Sequence, residues 1–175
     1  MIIKSERLIL RDLRITDAND MFEYTSIPEV SSFLLWSPHK SIKEDEDYIL
    51  KCLQEQNESS FYLGTELKSE RKLIGCNHVY HIDRKHMRAE ISFVLSPYYQ
   101  LKGYATEAVR TIIDYLFSQG FVRIQSLCDC ENNSSEEMLK RCGMNYEGTL
   151  INYAILKDGK AHSMKMYAIC NDLNN

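Results

Sequence analysis

The sequence has few of the residues that interrupt or divide a chain. Its 175 residues include three prolines, seven glycines and one tryptophan. No linker rich in Pro, Gly and Ser is present, and neither an internal repeat nor a low-complexity tract can be recognised. This length is sufficient to close one sizeable core. We therefore expect residues 1–175 to form a single domain.

Long apolar runs and clusters of positive charge are also missing. No segment approaches the ~18 apolar residues that a membrane helix needs, and the first residues lack the apolar region of a signal peptide. The formal net charge is −4, and no stripe rich in Lys and Arg is present. We expect a cytoplasmic protein that binds neither a membrane nor, directly, a nucleic acid.

The six cysteines and five histidines do not have the spacing of a metal site. No paired C-x-x-C cluster and no H-E-x-x-H motif occurs, so we predict no metal. The cysteines are also too sparse for a disulfide scaffold. We expect reduced thiols that are mostly buried.

Hydrophobic periodicity predicts a mixed sheet with helices on both faces. Helices are predicted after a cap at Thr16 and Asp17, after a capping box formed by Ser41 and Glu44, and from Tyr104 to a terminus near Gly120. The second of these covers about residues 42–56, and a fourth helix covers residues 134–141. Strands are predicted over residues 7–13, 61–66, 72–80, 86–95, 122–130, 144–156 and 161–169.

The junction between strand 86–95 and the helix that begins at Tyr104 has the features of an anion site. A helix start presents unpaired backbone N–H groups and the positive end of the helix dipole, which favour a phosphate. Gly103 and Ala105 keep the approach to the main chain clear. The spacing alone is equally consistent with an ordinary strand-to-helix connection, and the P-loop and dinucleotide motifs are absent.

This turn resembles the signature of the GNAT acetyltransferases, which is Gln or Arg, two residues, Gly, one residue, then Gly or Ala. The matching positions are Gln100, Gly103 and Ala105, and the extension over residues 103–108 makes the likeness more specific. Other segments are similar to the branch of the Rim-type ribosomal-protein N-terminal acetyltransferases. These lie at residues 5–11, 28–30, 74–75, 89–95 and 147–150, with Asn132, Ser135, Leu139 and Gly143. Ser92 and Leu101 depart from the family, which usually has Gly there, and Met144 replaces a usual Phe.

The resemblance implies a fold as well as a co-substrate. In the GNAT fold a mixed, mostly antiparallel sheet of about seven strands carries helices on both faces, and a central parallel strand pair splays apart to hold coenzyme A. Acetyl-coenzyme A is then the co-substrate, and its pantetheine arm is expected to pair with main chain of Phe93, Val94 and Leu95. The pyrophosphate is expected on Gln100, Leu101, Lys102, Gly103, Tyr104, Ala105 and Thr106. The added side chain of Leu101 would weaken coenzyme binding.

Two further residues are candidates for proton transfer. The amine must be neutral to attack, and Glu90 is the candidate base because it shares a strand with the coenzyme-pairing residues; its alternative is a solvated carboxylate. The N–H of Val94 is the candidate to stabilise the negative charge of the intermediate.

Family members often use a Tyr as acid, but residues 136–141 contain none. Ser135 is the nearest hydroxyl, with a place in the helix start as its alternative, and Asn132 is expected to hydrogen-bond the coenzyme arm.

The Rim-type likeness predicts the N-terminal α-amine of a protein or peptide as acceptor, and a homodimer with contacts on the last hairpin. A small amine, such as a polyamine, an amino-acid derivative or an antibiotic, is the alternative acceptor. A non-catalytic acyl-coenzyme A sensor and an interaction protein are the alternatives outside the enzyme class. The segment around Trp36 is expected either to line the acceptor site or to anchor the core. Cys128 and Cys130 share a strand face, as buried side chains or, alternatively, with one close enough to the coenzyme thiol for a mixed disulfide.

Overall fold

Alternating apolar side chains build one eight-stranded sheet in the computed structural model, which describes residues 1–171. The strands are β1 (Ile2–Lys4), β2 (Leu8–Arg11), β3 (Phe61–Leu67), β4 (Lys72–Asp83), β5 (Arg88–Leu95), β6 (Arg123–Asp129), β7 (Asn145–Ile155) and β8 (Ala161–Cys170). The helices are α1 (Ala18–Thr25), α2 (Ile42–Glu55), α3 (Tyr104–Ser118) and α4 (Asn133–Arg141).

The strand order is β1-β2-β3-β4-β5-β6-β8-β7, and β5 with β6 is the one parallel pair within residues 1–171. The predicted mixed, mostly antiparallel sheet is thereby confirmed, with eight strands instead of about seven. The additional strand is β1, whose three residues pair with β2 from Ile2 opposite Arg11 to Lys4 opposite Ile9. A three-residue edge strand is too short to show an alternating pattern in the sequence.

Helices cover both faces of the sheet, as predicted. The apolar stripe of α3 is buried against one face, with Val109 and Ile112 fully inaccessible. On the other face α1 and α2 enclose a second cluster that includes Met21, Tyr24 and Ile49. Because successive side chains of a strand point to opposite faces, β4 contributes to both clusters.

The predicted capping box at α2 is wrong in its details. Ser41 has the extended backbone of an N-cap, but its side chain makes no capping hydrogen bond. The carboxylate of Glu44 instead accepts from the backbone N–H of Lys40 at 3.2 Å. The helix still begins at Ile42, because the apolar spacing of its buried residues and not the cap determines where it packs.

The start of α1 depends on a buried carboxylate and not on a simple side-chain cap. Asp17 accepts from the backbone N–H of Arg14 at 2.7 Å, and it receives two hydrogen bonds of 2.8 Å from the guanidinium of Arg11. Arg11 also donates to Glu66 on β3 at 2.6 Å. Both carboxylates raise the pKa of Arg11 far above its ordinary value, although desolvation acts in the opposite direction. This charge network connects β2, β3 and the first helical turn.

Candidate active site

A wedge opens in the middle of the sheet where β5 and β6 separate. The two strands pair only from Arg88 opposite Arg123 to Glu90 opposite Gln125, although β5 continues to Leu95. Beyond Glu90, the edge of β5 that faces β6 has no ladder partner within residues 1–171. The predicted splayed strand pair is therefore present in the structure.

The residues predicted to pair with the pantetheine arm lie along this open edge. Phe93, Val94 and Leu95 are half-buried, and their opposite edge pairs with β4. Gly75 on β4 permits that pairing, because a Cβ atom there would lie 2.4 Å from the carbonyl oxygen of Val94. The main chain that faces the wedge remains accessible to an extended ligand, which would add to β5 as a strand does.

The predicted anion-binding turn connects β5 to α3 through the short 3-10 turn Pro97–Tyr99. Gly103 is the N-cap of α3 and has a φ of +82°, in the left-handed region that favours glycine. Tyr104, Ala105 and Thr106 form the first helical turn, whose N–H groups have no partner within the helix. The fold thus places the predicted anion-binding helix start after the open edge of β5, across the turn of residues 96–103.

Leu101, where the family usually has Gly, has a left-handed backbone conformation. Its φ is +61° and its side chain is 98% exposed. The expected weakening of coenzyme binding by this side chain stays a prediction. The preference of the signature for Gly at this position follows from the left-handed backbone, which costs a non-glycine residue about 1–2 kcal/mol. Gln100 and Lys102 complete the turn, and Lys102 donates to the carbonyl oxygen of Tyr98 at 3.3 Å.

An ion pair holds this turn against the beginning of the chain. Glu107 on α3 accepts from Ser5 Oγ and from the backbone N–H of Arg7, both at 2.7 Å, and from Arg7 Nε at 2.6 Å. The guanidinium of Arg7 also donates to the carbonyl oxygen of Lys102 at 3.0 Å and lies 4.4 Å from the centre of the Tyr104 ring. Desolvation would raise the pKa of Glu107, but the hydrogen bonds from Ser5 and Arg7 outweigh it and lower the pKa.

A surface cleft of about 450 Å³ extends from the start of α3. Two of its lining residues, Arg110 on α3 and Arg141 at the end of α4, carry positive charge that the sequence analysis missed. Arg110 follows Thr106 by four residues, so helical spacing could have placed it on the same helix face. Arg141 is distant in sequence, and the packing of α4 beside α3 brings it here. The cleft is lined by Glu6, Gly103, Thr106, Glu107, Arg110, Thr111 and Arg141.

Glu90 lies at the vertex of the wedge, at the last residue pair between β5 and β6. Its exposure is 4%, so it is not the solvated carboxylate that was the alternative. The hydroxyl of Tyr80 donates to Oε1 in a short hydrogen bond, and Gln125 Nε2 donates to Oε2 at 3.1 Å. His81 Nδ1 lies 3.5 Å from the same oxygen. The sequence analysis identified Glu90 but not these partners, which are cross-strand neighbours that only the register reveals.

Asn132 and Ser135 lie at the start of α4, which follows β6. The side-chain oxygen of Asn132 accepts from the backbone N–H of Ser135 at 3.1 Å, so Asn132 is the cap of this helix. Ser135 lies in the first turn of this helix, in agreement with its alternative role in the helix start. The amide NH₂ group of Asn132 does not take part in the capping bond, and the Ser135 hydroxyl is half-buried. The two residues therefore combine a structural place with polar atoms near the end of β6.

Trp36 belongs to the segment that connects the 3-10 turn Pro28–Ser31 to α2. Together with Val94 it lines a small, partly open cavity of about 20 Å³ between α1, α2 and the sheet. Since Glu90 and Val94 are four residues apart on β5, they lie on the same face. The segment around Trp36 thus covers the side of the sheet on which Glu90 lies.

Within residues 1–171 the cysteines form no disulfide, and the possible metal ligands form no cluster. All six cysteines are free, and four of them are buried, as expected. Cys128 packs in the core beside α4, where burial raises its pKa to about 11, whereas Cys130 is only half-buried. No three His, Cys, Asp or Glu side chains in this part of the chain converge on one point. None of the helices described has an apolar stretch long enough to cross a membrane.

Comparison with known sequences gives a consistent result. The acetyltransferase (GNAT) domain model matches residues 7–145. An uncharacterized N-acetyltransferase, p20, from Bacillus licheniformis is 30% identical over 168 residues, which are 94% of this chain and 93% of that protein. Spermidine N(1)-acetyltransferase from Escherichia coli is 26% identical over 162 residues, which are 90% of this chain and 83% of that protein.

Solved structures have the same fold. A GNAT-family acetyltransferase from Bacillus anthracis superposes with a TM-score of 0.86 at 26% identity, covering 97% of this chain and 98% of that one. A ribosomal L7/L12 α-N-protein acetyltransferase in complex with coenzyme A superposes with a TM-score of 0.84, covering 98% and 99% of the two chains. At 19% identity, the second match supports the fold alone.

The ion pair at the start of α3 predicts a pH-dependent contribution to stability. Replacing Glu107 by Gln removes the charge that accepts from Ser5 and Arg7, and we expect the free energy of unfolding to fall by about 1–2 kcal/mol at pH 7. Folding lowers the pKa of Glu107 below its ordinary value of 4.5. The ion pair therefore makes its full contribution to the free energy of unfolding above pH 4.5. This contribution is lost as the pH falls through the lower pKa that Glu107 has in the folded state.

Urea unfolding of wild type and Glu107→Gln across this pH range measures the difference. Glu6→Gln is the matched control, because Glu6 is exposed and its carboxylate makes no hydrogen bond to described residues. A difference between wild type and Glu107→Gln that stays constant from pH 7 to pH 3 would contradict the assignment of the stabilisation to the charged pair.

Proposed function

The chain belongs to the GNAT acetyltransferase family, and on that premise we propose that its wedge and helix start bind acetyl-coenzyme A for transfer of the acetyl group to a primary amine. Members of this family are acetyl-coenzyme A-dependent N-acetyltransferases. One observation carries the assignment of the site. The unpaired edge of β5 runs directly into a helix start that exposes its N–H groups.

The coenzyme fits this arrangement in three parts. The pantetheine arm takes the ladder positions that β6 leaves free beside Phe93, Val94 and Leu95. The pyrophosphate lies on the turn of residues 100–106, where main-chain N–H groups and the helix dipole favour negative charge. The charges of Arg110 and Arg141 in the adjoining cleft suit the remaining phosphate, since guanidinium groups bind phosphate well. Asn132 is placed to hydrogen-bond the arm from the side of β6.

Transfer then proceeds along β5, between Val94 and the vertex of the wedge at Glu90. The amine nitrogen attacks the thioester carbonyl carbon, and Glu90 accepts the amine proton directly or through water. The N–H of Val94 stabilises the negative oxygen of the intermediate. The carbon–sulfur bond breaks, the thiolate of coenzyme A leaves, and Ser135 or solvent supplies its proton. The products are an amide and the free thiol of coenzyme A.

The contacts of Glu90 support a catalytic role over a sensor without chemistry. Tyr80 and Gln125 each donate one hydrogen bond and fix the carboxylate beside the last residue pair between β5 and β6. A carboxylate has about four acceptor sites, so these donors leave capacity for a further proton. A buried acid held in this way at the coenzyme edge has the geometry of a general base.

Two acceptor classes compete. The Rim-type likeness predicts the N-terminal α-amine of a protein or peptide, and a ribosomal-protein acetyltransferase is among the structural neighbours. A small amine is the second candidate, because the spermidine acetyltransferase is similar over most of its length and an aromatic cavity adjoins Val94.

Titration with acetyl-coenzyme A, followed by thiol release against N-terminal peptides and small amines, separates the two classes. Binding without release to any amine would favour the sensor, and no binding would overturn the proposal.

The domain extent, the location in the cell and the oligomeric state complete the proposal. Residues 1–175 are proposed to act as one cytoplasmic acetyltransferase domain, with the sheet running from Ile2 to Cys170. Homodimerisation stays a prediction. The apolar residues that would support it are exposed on β7, where Ile151 and Ile155 are 73% and 63% accessible.

The pyrophosphate assignment predicts the effect of one added charge. Gly103→Asp places a carboxylate at the helix start, and we expect affinity for acetyl-coenzyme A to fall at least 100-fold, because like charge replaces an anion-binding surface. Gly103→Asn is the matched control, since Asn has the size of Asp without its charge and also tolerates a positive φ. Gly103→Ala controls for the strained φ. Calorimetric affinities that fall equally for Gly103→Asp and Gly103→Asn would refute the placement.

The role of Glu90 predicts a separation of turnover from binding. Glu90→Gln keeps the shape of the side chain but cannot accept the amine proton, so we expect kcat to fall about 100-fold or more with little change in acetyl-coenzyme A affinity. An unchanged kcat would remove Glu90 from the chemistry, and a thermal unfolding curve checks that the variant is folded.

A further inference from the structure

The small cavity beneath the Trp36 segment has room for one group. Its volume of about 20 Å³ accommodates a group the size of one water molecule or one ammonium head. Its walls come from α1, α2, the segment before α2 and two paired strands. The lining residues are Met21, Tyr24, Thr25, Trp36, His39, Tyr48, Cys76 and Val94.

The hydroxyl of Tyr24 in this wall has no hydrogen-bond partner within residues 1–171. Tyr24 is 1% exposed, so bulk water does not reach it. A buried hydroxyl without a partner destabilises the folded protein, because it has lost its hydrogen bonds to water. A ligand N–H that enters the cavity would recover this cost, which makes Tyr24 a polar contact available to a ligand.

A buried carboxylate lies behind the same wall. Asp45 is fully inaccessible, and it contacts His39 Nδ1 at 2.9 Å and Thr25 Oγ1 at 2.9 and 3.0 Å. No Lys or Arg of residues 1–171 forms an ion pair with it. Burial raises the pKa of Asp45, although the hydrogen bonds from His39 and Thr25 act in the opposite direction. A positive group brought into this cavity would lie near this carboxylate, with Thr25 and His39 of the cavity wall between them.

Aromatic rings complete the wall. The ring of His39 lies 5.4 Å from that of Trp36 and 6.0 Å from that of Tyr48, measured between ring centres. The faces of Trp and Tyr attract cations, and the attraction is stronger where water is excluded. The cavity thus combines a partnerless hydroxyl, a buried carboxylate and aromatic faces, which together suit an ammonium group and disfavour an anion.

We propose that this cavity binds a second, non-reacting ammonium group of the acceptor, which makes the acceptor a small diamine or polyamine. The inference rests on the proposed function and names its substrate class. Val94 joins the cavity to the edge that holds the thioester, and Glu90 lies on the same face about 13 Å further along β5. An acceptor anchored by one ammonium in the cavity can therefore extend its other amine along β5 toward the thioester.

The test compares acceptors that differ only in the second charge. For each chain length, we divide the kcat/KM of the diamine by that of the monoamine. The pairs are 1,4-diaminobutane with n-butylamine and 1,6-diaminohexane with n-hexylamine. We expect wild type to prefer at least one diamine tenfold or more. Tyr24→Phe should lower this ratio about threefold to tenfold, and Asp45→Asn should abolish the preference. Tyr115→Phe on the opposite face of the sheet, where the hydroxyl also makes no hydrogen bond to described residues, should keep the wild-type ratio.

Each outcome decides the proposal. Equal use of diamines and monoamines by wild type, or an unchanged ratio in Tyr24→Phe, would overturn it; that variant loses only a partnerless hydroxyl, so its folding is not at risk. If no amine is acetylated, the proposed function fails, and calorimetry of the same amines with the protein, alone and with coenzyme A, still tests the cavity. Tighter binding of the diamine that Tyr24→Phe weakens would support the ammonium site, and equal binding would reject it.

Discussion

The separation of β5 from β6 after three residue pairs is the constraint on which the rest of the site depends. A parallel pair that continued to Leu95 would satisfy its own main chain and leave no room for an extended ligand. The opposite edge of β5 stays firmly paired with β4, helped by the close approach at Gly75. The strand is therefore rigid on one side and open on the other, which suits a surface that must hold a flexible arm in one position.

The charge near this opening differs between the start of α3 and the sheet face that carries Glu90. The start of α3, with Arg110 and Arg141 nearby, provides a positive surface for an anion. The face that carries Glu90 and covers Asp45 is acidic and aromatic instead, which suits an amine. Each carboxylate on this face is buried and has its own donors, Tyr80 and Gln125 for Glu90 and Thr25 for Asp45. The proposed anion site at the start of α3 and the proposed amine site on the face of Glu90 therefore differ in charge as well as in position.

Sequence reasoning succeeded where a feature is local and failed where it depends on register or packing. The helix from Tyr104 was predictable because its apolar stripe repeats over fifteen residues, and Gly103 was identifiable because it matches the family signature directly before that helix. The partners of Glu90 could not be predicted, because they come from β4 and β6 through a register that no single strand encodes. The capping box at Ser41 failed for a similar reason, since side-chain rotamers at a helix start respond to their neighbours in space.

The sequence by itself determined the helices, the strands other than β1, the position of the candidate coenzyme turn and the identity of the candidate base, because periodicity, glycine placement and a family signature are written along the chain. Only the tertiary structure decided that β5 and β6 part at Glu90, that Arg141 joins the cleft of α3, and that Tyr24, His39 and Asp45 surround one cavity beside Val94. These features join residues that lie from six to seventy positions apart. Burial of a shared core, and not local preference, brings such residues together.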